Sequence, residues 1–129
     1  MQFKGLALAG AMLLAGGSVA NAQGMGGMQM PQGKDATITG HVIDVSCKFG
    51  QGMSGDMHKT CTEVCSDKGL PLAILTDDGK LYIPTTSEMP GNGQNAKLRP
   101  FAEQKVTVQG KVFSAGGAQA IQIASIKKA

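Results

Sequence analysis

The sequence is poor in aromatic residues, with no tryptophan, one tyrosine and four phenylalanines among 129 residues. Proteins that bind single-stranded nucleic acid or sugars stack the rings of their ligand on aromatic side chains, commonly above a basic groove. The formal net charge is only +3, and the basic residues are scattered along the chain. The composition therefore argues against a polyanionic partner, and we expect no binding to nucleic acid.

Familiar catalytic motifs are also missing. The chain contains no G-x-S-x-G, no H-E-x-x-H, no phosphate-binding glycine loop and no C-x-x-C-H for haem attachment. Asp77 and Asp78 are adjacent carboxylates, but they precede Gly79 and are typical of a tight turn. The sequence therefore predicts a non-enzymatic protein.

Long apolar runs are limited to one, "LALAGAMLLAGG", which is too short to span a bilayer. Lys4 precedes this run, and Ala20, Asn21 and Ala22 follow it with the small residues of a cleavage site. We interpret residues 1–22 as a secretory signal peptide. The mature protein is then expected in a bacterial periplasm or outside the cell, without a stable membrane anchor.

The predicted mature chain divides into an arm and one domain. Residues 23–34 are rich in glycine, glutamine and methionine and have no apolar period, which indicates a flexible arm. Its thioethers, Met25, Met28 and Met30, are soft ligands that suit Cu(I), although a mobile tail without a ligand role is the alternative. Residues 35–129 are long enough for a single domain with one core.

Alternating apolar residues predict five strands in this domain. The stretch "ATITGHVIDVSC" alternates up to Cys47, with a change of phase at Val42 and Ile43 that suggests a bulged or coiled strand. Two hairpins follow: "PLAIL" with "KLYIP", and "KVTVQGKVF" with "AQAIQIASI". We expect the interior to contain Val106, Val108, Val112, Ile121 and Ile123.

The connection between the two hairpins is long and polar, and Leu98 and Phe101 are its only sizeable apolar residues. We expect a short helical turn there that closes one end of a barrel. Five strands in this arrangement predict a mainly β, oligonucleotide/oligosaccharide-binding (OB)-like barrel, with a small sandwich as the alternative.

The sequence also carries five short motifs: D-x-x-C at 44–47, H-x-x-C-x-x-x-C at 58–65, G-x-P at 69–71, "TDDGK" at 76–80 and V-x-V-x-G-x-V at 106–112. In these motifs it resembles small secreted bacterial OB-fold-like domains of unknown function. The resemblance implies a secreted barrel with a cysteine-bearing insertion between its first two strands, and it implies no particular activity.

The insertion, residues 48–69, holds most of the reactive side chains. We expect "KFGQGMSGDM" to form a loop and "HKTCTEVCSDK" to form a short helix that ends at Gly69. Spacings of three and four residues place the histidine and two cysteines of this helix on one face, near the cysteine that ends the first strand. Together they predict a Zn(II) or Cu(I) site whose ligands are Cys47, His58, Cys61 and Cys65.

A disulfide is the main alternative to a metal site. In a secreted chain, Cys47 could pair with Cys61 or Cys65, closing a loop of about fifteen to twenty residues and stabilising the fold by about 3 kcal/mol. The barrel would then be a stapled module that binds a protein or an envelope polymer. A thiol redox protein is a minor alternative, because the chain lacks C-x-x-C. His41 and Asp44 on the first strand could lie near the same place.

The predicted cleavage site makes the first testable prediction. When a bacterial host exports the protein, its N-terminus should be Gln23, which mass spectrometry of periplasmic material measures directly. Periplasmic protein that still carries residues 1–22 would contradict the secreted assignment.

Overall fold

The computed structural model describes residues 30–129. The predicted signal peptide and most of the predicted arm, including Met25 and Met28, lie outside these residues. Met30 is exposed, and the first strand begins at Lys34, one residue before the predicted start of the domain. None of the helices among residues 30–129 combines the length and the hydropathy that crossing a membrane requires.

The described chain forms five strands and three helices. In order they are β1 (Lys34–Asp44), α1 (Val45–Gln51), α2 (Lys59–Asp67), β2 (Leu72–Thr76), β3 (Leu81–Thr85), α3 (Asn95–Leu98), β4 (Lys105–Ala115) and β5 (Ala118–Lys128). A 3₁₀ turn, Asp56–His58, precedes α2, and a second, Arg99–Phe101, follows α3. The two predicted hairpins and the short helix between them are confirmed.

The strands close into a barrel in the order β1-β2-β3-β5-β4. β1 is shared between two neighbours, since residues 40–44 pair with β2 and residues 34–41 pair with β4. All pairs are antiparallel except β3 with β5. The OB-like barrel is therefore confirmed, and its closure excludes the sandwich.

The core lies inside the barrel and agrees closely with the prediction. Val106, Val108 and Ile121 are fully buried and Ile123 is 7% exposed, whereas Val112 is half-buried and packs against the core from the side. Leu98 at the end of α3 is fully buried. The short helix between the hairpins therefore closes one end of the barrel, as expected from its apolar residues.

The sequence predicts a bulged or coiled strand at Val42 and Ile43; no bulge occurs there, whereas β1 does serve two sides of the barrel by pairing with β2 and β4. β1 pairs there without a break in register, and the irregularity lies instead between Gln109 and Gly110, opposite β5. A Cβ at Gly110 would lie 2.2 Å from the carbonyl oxygen of Gln122, so the close approach of the two strands requires glycine.

The phase change in β1 has a different cause. Val42 faces the core, whereas Ile43 is 2% exposed without belonging to the core cluster. Ile43 lines a cleft together with Lys48, Ser54 and Gly55 of the insertion. Consecutive apolar residues therefore occur because the insertion covers the outer face of the barrel at this point.

The first strand ends earlier than predicted, and a helix replaces the predicted loop. The Asp44 carboxylate accepts a hydrogen bond from the backbone N–H of Cys47 at 3.0 Å, which caps the N-terminus of α1. Cys47 therefore lies on α1 and does not continue the strand. The helix ends at Gln51, and the residue that caps it, Gly52, has a left-handed φ of 68°.

The predicted end of the second insertion helix is confirmed. α2 ends at Asp67, and Gly69 follows with a φ of +87°. Its N–H donates to the carbonyl of Ser66 at 3.0 Å, and the N–H of Leu70 donates to the carbonyl of Cys65 at 3.0 Å. These two bonds form a Schellman cap, which fixes the last turn of the helix that carries Cys65.

The buried strand residues of the core make a prediction about stability. Val108→Ala and Ile123→Ala should each lower the free energy of unfolding by about 1 to 4 kcal/mol, because each leaves a cavity in a small core. Val64→Ala is the control, since Val64 is 48% exposed and its loss should cost less than about 0.5 kcal/mol. Denaturant unfolding measures the free energy of unfolding of all three variants. Losses below a few tenths of a kcal/mol at both core positions would contradict the burial of these residues inside the barrel.

Candidate functional site

Three potential ligands meet at the junction of β1 and the insertion. A carboxylate oxygen of Asp44 and the sulfurs of Cys47 and Cys65 all lie within 4.8 Å of one another. Asp44 is the last residue of β1, Cys47 is in the first turn of α1, and Cys65 is in the last turns of α2. The group therefore joins the barrel to both helices of the insertion. We call these three residues the Asp-Cys-Cys group.

Asp44 is deeply buried and supplies the only carboxylate of this group. Its side chain is 1% exposed, and one oxygen accepts from Cys47 N–H. The other oxygen, Oδ2, is buried and has no nitrogen or oxygen donor within residues 30–129. None of the salt bridges in that part of the chain includes Asp44. A buried carboxylate is normally paired or bound to a metal, so this carboxylate, with two thiols beside it and no counter-charge, is a candidate metal ligand.

The two thiols are held in their protonated form by these surroundings. Hydrogen bonding to the Asp44 carboxylate, reinforced by burial and by its negative charge, raises the pKa of Cys65 to about 11. Burial, and then Asp44, also raise the pKa of Cys47. Both thiols are therefore poor nucleophiles at neutral pH unless a cation replaces their protons.

His58 and Cys61, two of the predicted ligands, are not members of the Asp-Cys-Cys group. His58 is 6% exposed, and its Nε2 has no hydrogen-bond partner among the described residues. Cys61 is exposed, yet it is close enough to Cys47 for its charge to contribute to the raised pKa of that thiol. The structure thus brings together two of the four predicted ligands and adds Asp44.

The rotation of α2 decides which cysteine faces the group. Thr62 is fully buried, and its hydroxyl donates to the Glu103 carboxylate at 2.7 Å. This bond turns the face of His58, Thr62 and Ser66 toward the barrel and leaves Cys61 on the solvent side. The sequence spacing alone predicts a shared face for His58, Cys61 and Cys65, but it contains no information about which face docks.

The position of Asp44 beside Cys47 could have been predicted from a local sequence signal. An aspartate three residues before Cys47 has the spacing of an N-cap, and a cap accepts from the N–H of the third residue after it. The alternating apolar pattern through Val45 predicts a continuing strand and conceals this signal. His41, which the sequence analysis also places near this site, is exposed and instead faces Asp77, with 3.8 Å between its Nδ1 and the Asp77 Oδ1.

Comparison with known proteins gives no further guidance: no protein-family model, no curated protein and no solved structure matches the chain. The resemblance in the short motifs therefore stays a prediction, and any function has to be argued from the geometry of the Asp-Cys-Cys group.

The raised pKa of Cys65 predicts how the stability of the reduced, metal-free protein depends on pH. The folded state holds this proton more tightly than the unfolded state, so its stabilising contribution is complete below the ordinary thiol pKa of 9.0 and is lost as the pH rises through about 11. Denaturant unfolding of the wild type and of Cys65→Ser, from about pH 8 to about pH 12, checks the sign. The wild type should lose more stability than the serine variant, and equal losses would contradict the raised pKa.

Proposed function

We propose that the domain is a secreted, non-enzymatic metal-binding protein that holds a thiophilic ion at Asp44, Cys47 and Cys65. The observation that carries this proposal is the buried Asp44 carboxylate, which lies beside two thiols and has no salt-bridge partner within residues 30–129. Burying a carboxylate without a counter-charge is costly, and a bound cation would remove that cost. Two thiols and a carboxylate also form a donor set that metal sites in proteins use.

The donor set favours Zn(II) over Cu(I). Carboxylate oxygen is a common zinc ligand, whereas Cu(I) prefers soft sulfur donors, so Asp44 moves the preference away from the copper that the methionines suggested. In a tetrahedral zinc site, thiolates lie about 3.8 Å apart, which the cysteine side chains can reach by small movements from separations within 4.8 Å. A fourth position would be open to water or to His58, whose unpartnered Nε2 is also buried.

The protonated thiols give metal binding a measurable signature. A thiol must ionise to coordinate a metal, and the pKa values of Cys47 and Cys65 are both raised above 9.0. Binding at about pH 7.5 should therefore release about two protons per ion, one from each thiol.

The second candidate is a disulfide-stapled module that binds a protein or an envelope polymer. The proximity of the Cys47 and Cys65 sulfurs favours this pair over Cys47 with Cys61. Such a bridge would join α1 to α2 and leave Cys61 exposed as the unpaired thiol. Thiol redox catalysis has less support, because both thiols of the pair are less acidic than an ordinary cysteine.

Competition with a chromophoric chelator tests the metal site on the reduced protein, with Zn(II) and Cu(I) measured separately. Cys47→Ser, Cys65→Ser and Asp44→Asn should each lower the affinity for Zn(II) by more than about tenfold. Asp44→Asn is the sharpest variant, because an asparagine oxygen can still cap α1 while the anionic ligand is lost. The wild type should release about two protons per ion in a weakly buffered titration.

Cys61→Ser separates the ligand set of the structure from the one predicted from sequence. The Asp-Cys-Cys group predicts unchanged affinity in Cys61→Ser, whereas the Cys₃His set predicts a loss. Alkylation without reductant, followed by intact mass, counts thiols in the protein as isolated. One reactive thiol, no bound ion, and no effect of Asp44→Asn on Zn(II) affinity after reduction would reject the metal site in favour of the stapled module.

A further inference from the structure

The three cysteines of the chain lie close together but differ in their access to solvent. Cys47 is 8% exposed and Cys65 is partly buried, whereas Cys61 is exposed. Besides burial and Asp44, the charge of Cys61 contributes to the raised pKa of Cys47, so these two thiols are neighbours. Cys47 on α1 therefore has two thiols of α2 beside it. One is the exposed thiol, and the other, one helical turn further along, belongs to the Asp-Cys-Cys group.

The sulfurs of Cys47 and Cys65 are near enough to bond to each other. They lie within 4.8 Å as free thiols, and a disulfide needs about 2.0 Å. Rotation of a cysteine side chain between its staggered positions covers the remaining distance of about 3 Å. The backbone on each side is fixed, because Asp44 caps the first turn of α1 and the Schellman cap at Gly69 fixes the last turn of α2.

A disulfide between these two cysteines excludes a metal ion from the same place. Each thiolate gives the metal a lone pair and a negative charge, and both charges are lost when the sulfurs bond to each other. Sulfurs about 2.0 Å apart also cannot occupy two corners of a tetrahedral zinc site, where they lie about 3.8 Å apart. Asp44 is then the only charged ligand left in the group, so the ion dissociates. The metal-bound form and the disulfide are therefore two states of one site.

Access to solvent decides which thiol an external disulfide meets first. In thiol–disulfide exchange the attacking sulfur has to reach a sulfur of the oxidant, so an exposed thiol reacts before a buried one. Cys61 is the exposed thiol of the three. A bridge from Cys61 to Cys65 is disfavoured, because the geometry of a disulfide fits poorly on one turn of a continuous helix. Oxidation received at Cys61 therefore passes to Cys47 on the neighbouring helix.

We propose that oxidation through Cys61 converts the Asp-Cys-Cys group from a metal site into a Cys47–Cys65 disulfide and thereby releases the ion. This inference rests on the metal site proposed above and adds the means by which that site is emptied. The oxidant is a small-molecule disulfide of the glutathione class. Cys61 has the role of an entry thiol, which is not a metal ligand and is regenerated at the end of the exchange.

The exchange balances in three steps. The Cys61 thiolate attacks the external disulfide, which forms a mixed disulfide and releases one external thiolate. The Cys47 thiolate attacks the Cys61 sulfur and releases the second external thiolate, and the Cys65 thiolate then attacks the Cys47 sulfur and releases Cys61. Cys47 and Cys65 lose two electrons in total, and the external disulfide gains them. The two external thiolates take protons from solvent, and Zn(II) leaves with its charge unchanged.

Addition of one equivalent of glutathione disulfide to the reduced, zinc-loaded protein tests the proposal, with a chromophoric chelator reporting free Zn(II). Zinc release should follow disulfide formation, with about two molecules of glutathione produced per ion. Peptide mapping after alkylation should find Cys47 joined to Cys65 and Cys61 as a free thiol. Cys61→Ser should slow both disulfide formation and zinc release by more than about tenfold, because the exposed entry thiol is lost. Its affinity for Zn(II) should equal that of the wild type.

A displaced thiol provides the matched control. Ser114 is exposed and lies at the end of β4 that pairs with the start of β1, whereas Asp44 is at the other end of β1. Ser114→Cys, added to Cys61→Ser, restores an exposed thiol but not its place beside Cys47. This double variant should form a mixed disulfide with glutathione and still release zinc at the slow rate of Cys61→Ser.

The outcomes distinguish the switch from the metal site on which it rests. A reduced wild type that binds no Zn(II) would overturn both. With Zn(II) bound, three results would overturn the switch alone: oxidation of Cys61→Ser at the wild-type rate, retention of the ion after the Cys47–Cys65 disulfide has formed, or recovery of the fast rate by the displaced thiol.

Discussion

The buried carboxylate of Glu103 is the interaction on which the arrangement of the insertion depends. It accepts from the N–H of Gly55 at 2.7 Å and from the hydroxyl of Thr62 at 2.7 Å, and the residue is only 5% exposed. The backbone N–H of Glu103 donates to the carbonyl of Val42 at 2.9 Å, which ties this residue to β1. Glu103 adopts a φ of 57°, which is uncommon for a residue other than glycine. A single side chain thus sets both the distance and the rotation of α2 relative to the barrel.

The positions of the sulfur atoms follow from this anchor. With Thr62 turned inward, Cys65 faces Asp44 and Cys47, and Cys61 faces solvent. A helix rotated by one residue would present a different thiol to the carboxylate. The chemistry of the site is therefore decided by a neutral hydroxyl and a carboxylate that are not themselves members of the Asp-Cys-Cys group.

Local sequence signals predicted most of the fold. Alternating apolar residues located the five strands, and Gly69 correctly marked the end of α2, because turns and caps depend on residues close together in sequence. The site was only half predicted. Thr62 and Glu103 are 41 residues apart, so their bond could not be inferred from spacing. The helix α1 was missed because Val45 and Cys47 continue the strand pattern, while the deciding feature was the capping bond of Asp44.

Closure of the barrel does not pair every strand along its whole length. The strand order forms a ring, in which β1 lies between β2 and β4, and β5 lies between β3 and β4. However, β1 pairs with β2 only over residues 40–44, and β5 pairs with β3 only over residues 119–122. Residues 34–39 of β1 and residues 123–128 of β5 therefore have a partner strand, β4, on one side only. Their other sides are strand edges, so addition of an extended chain to this barrel is restricted to these two segments.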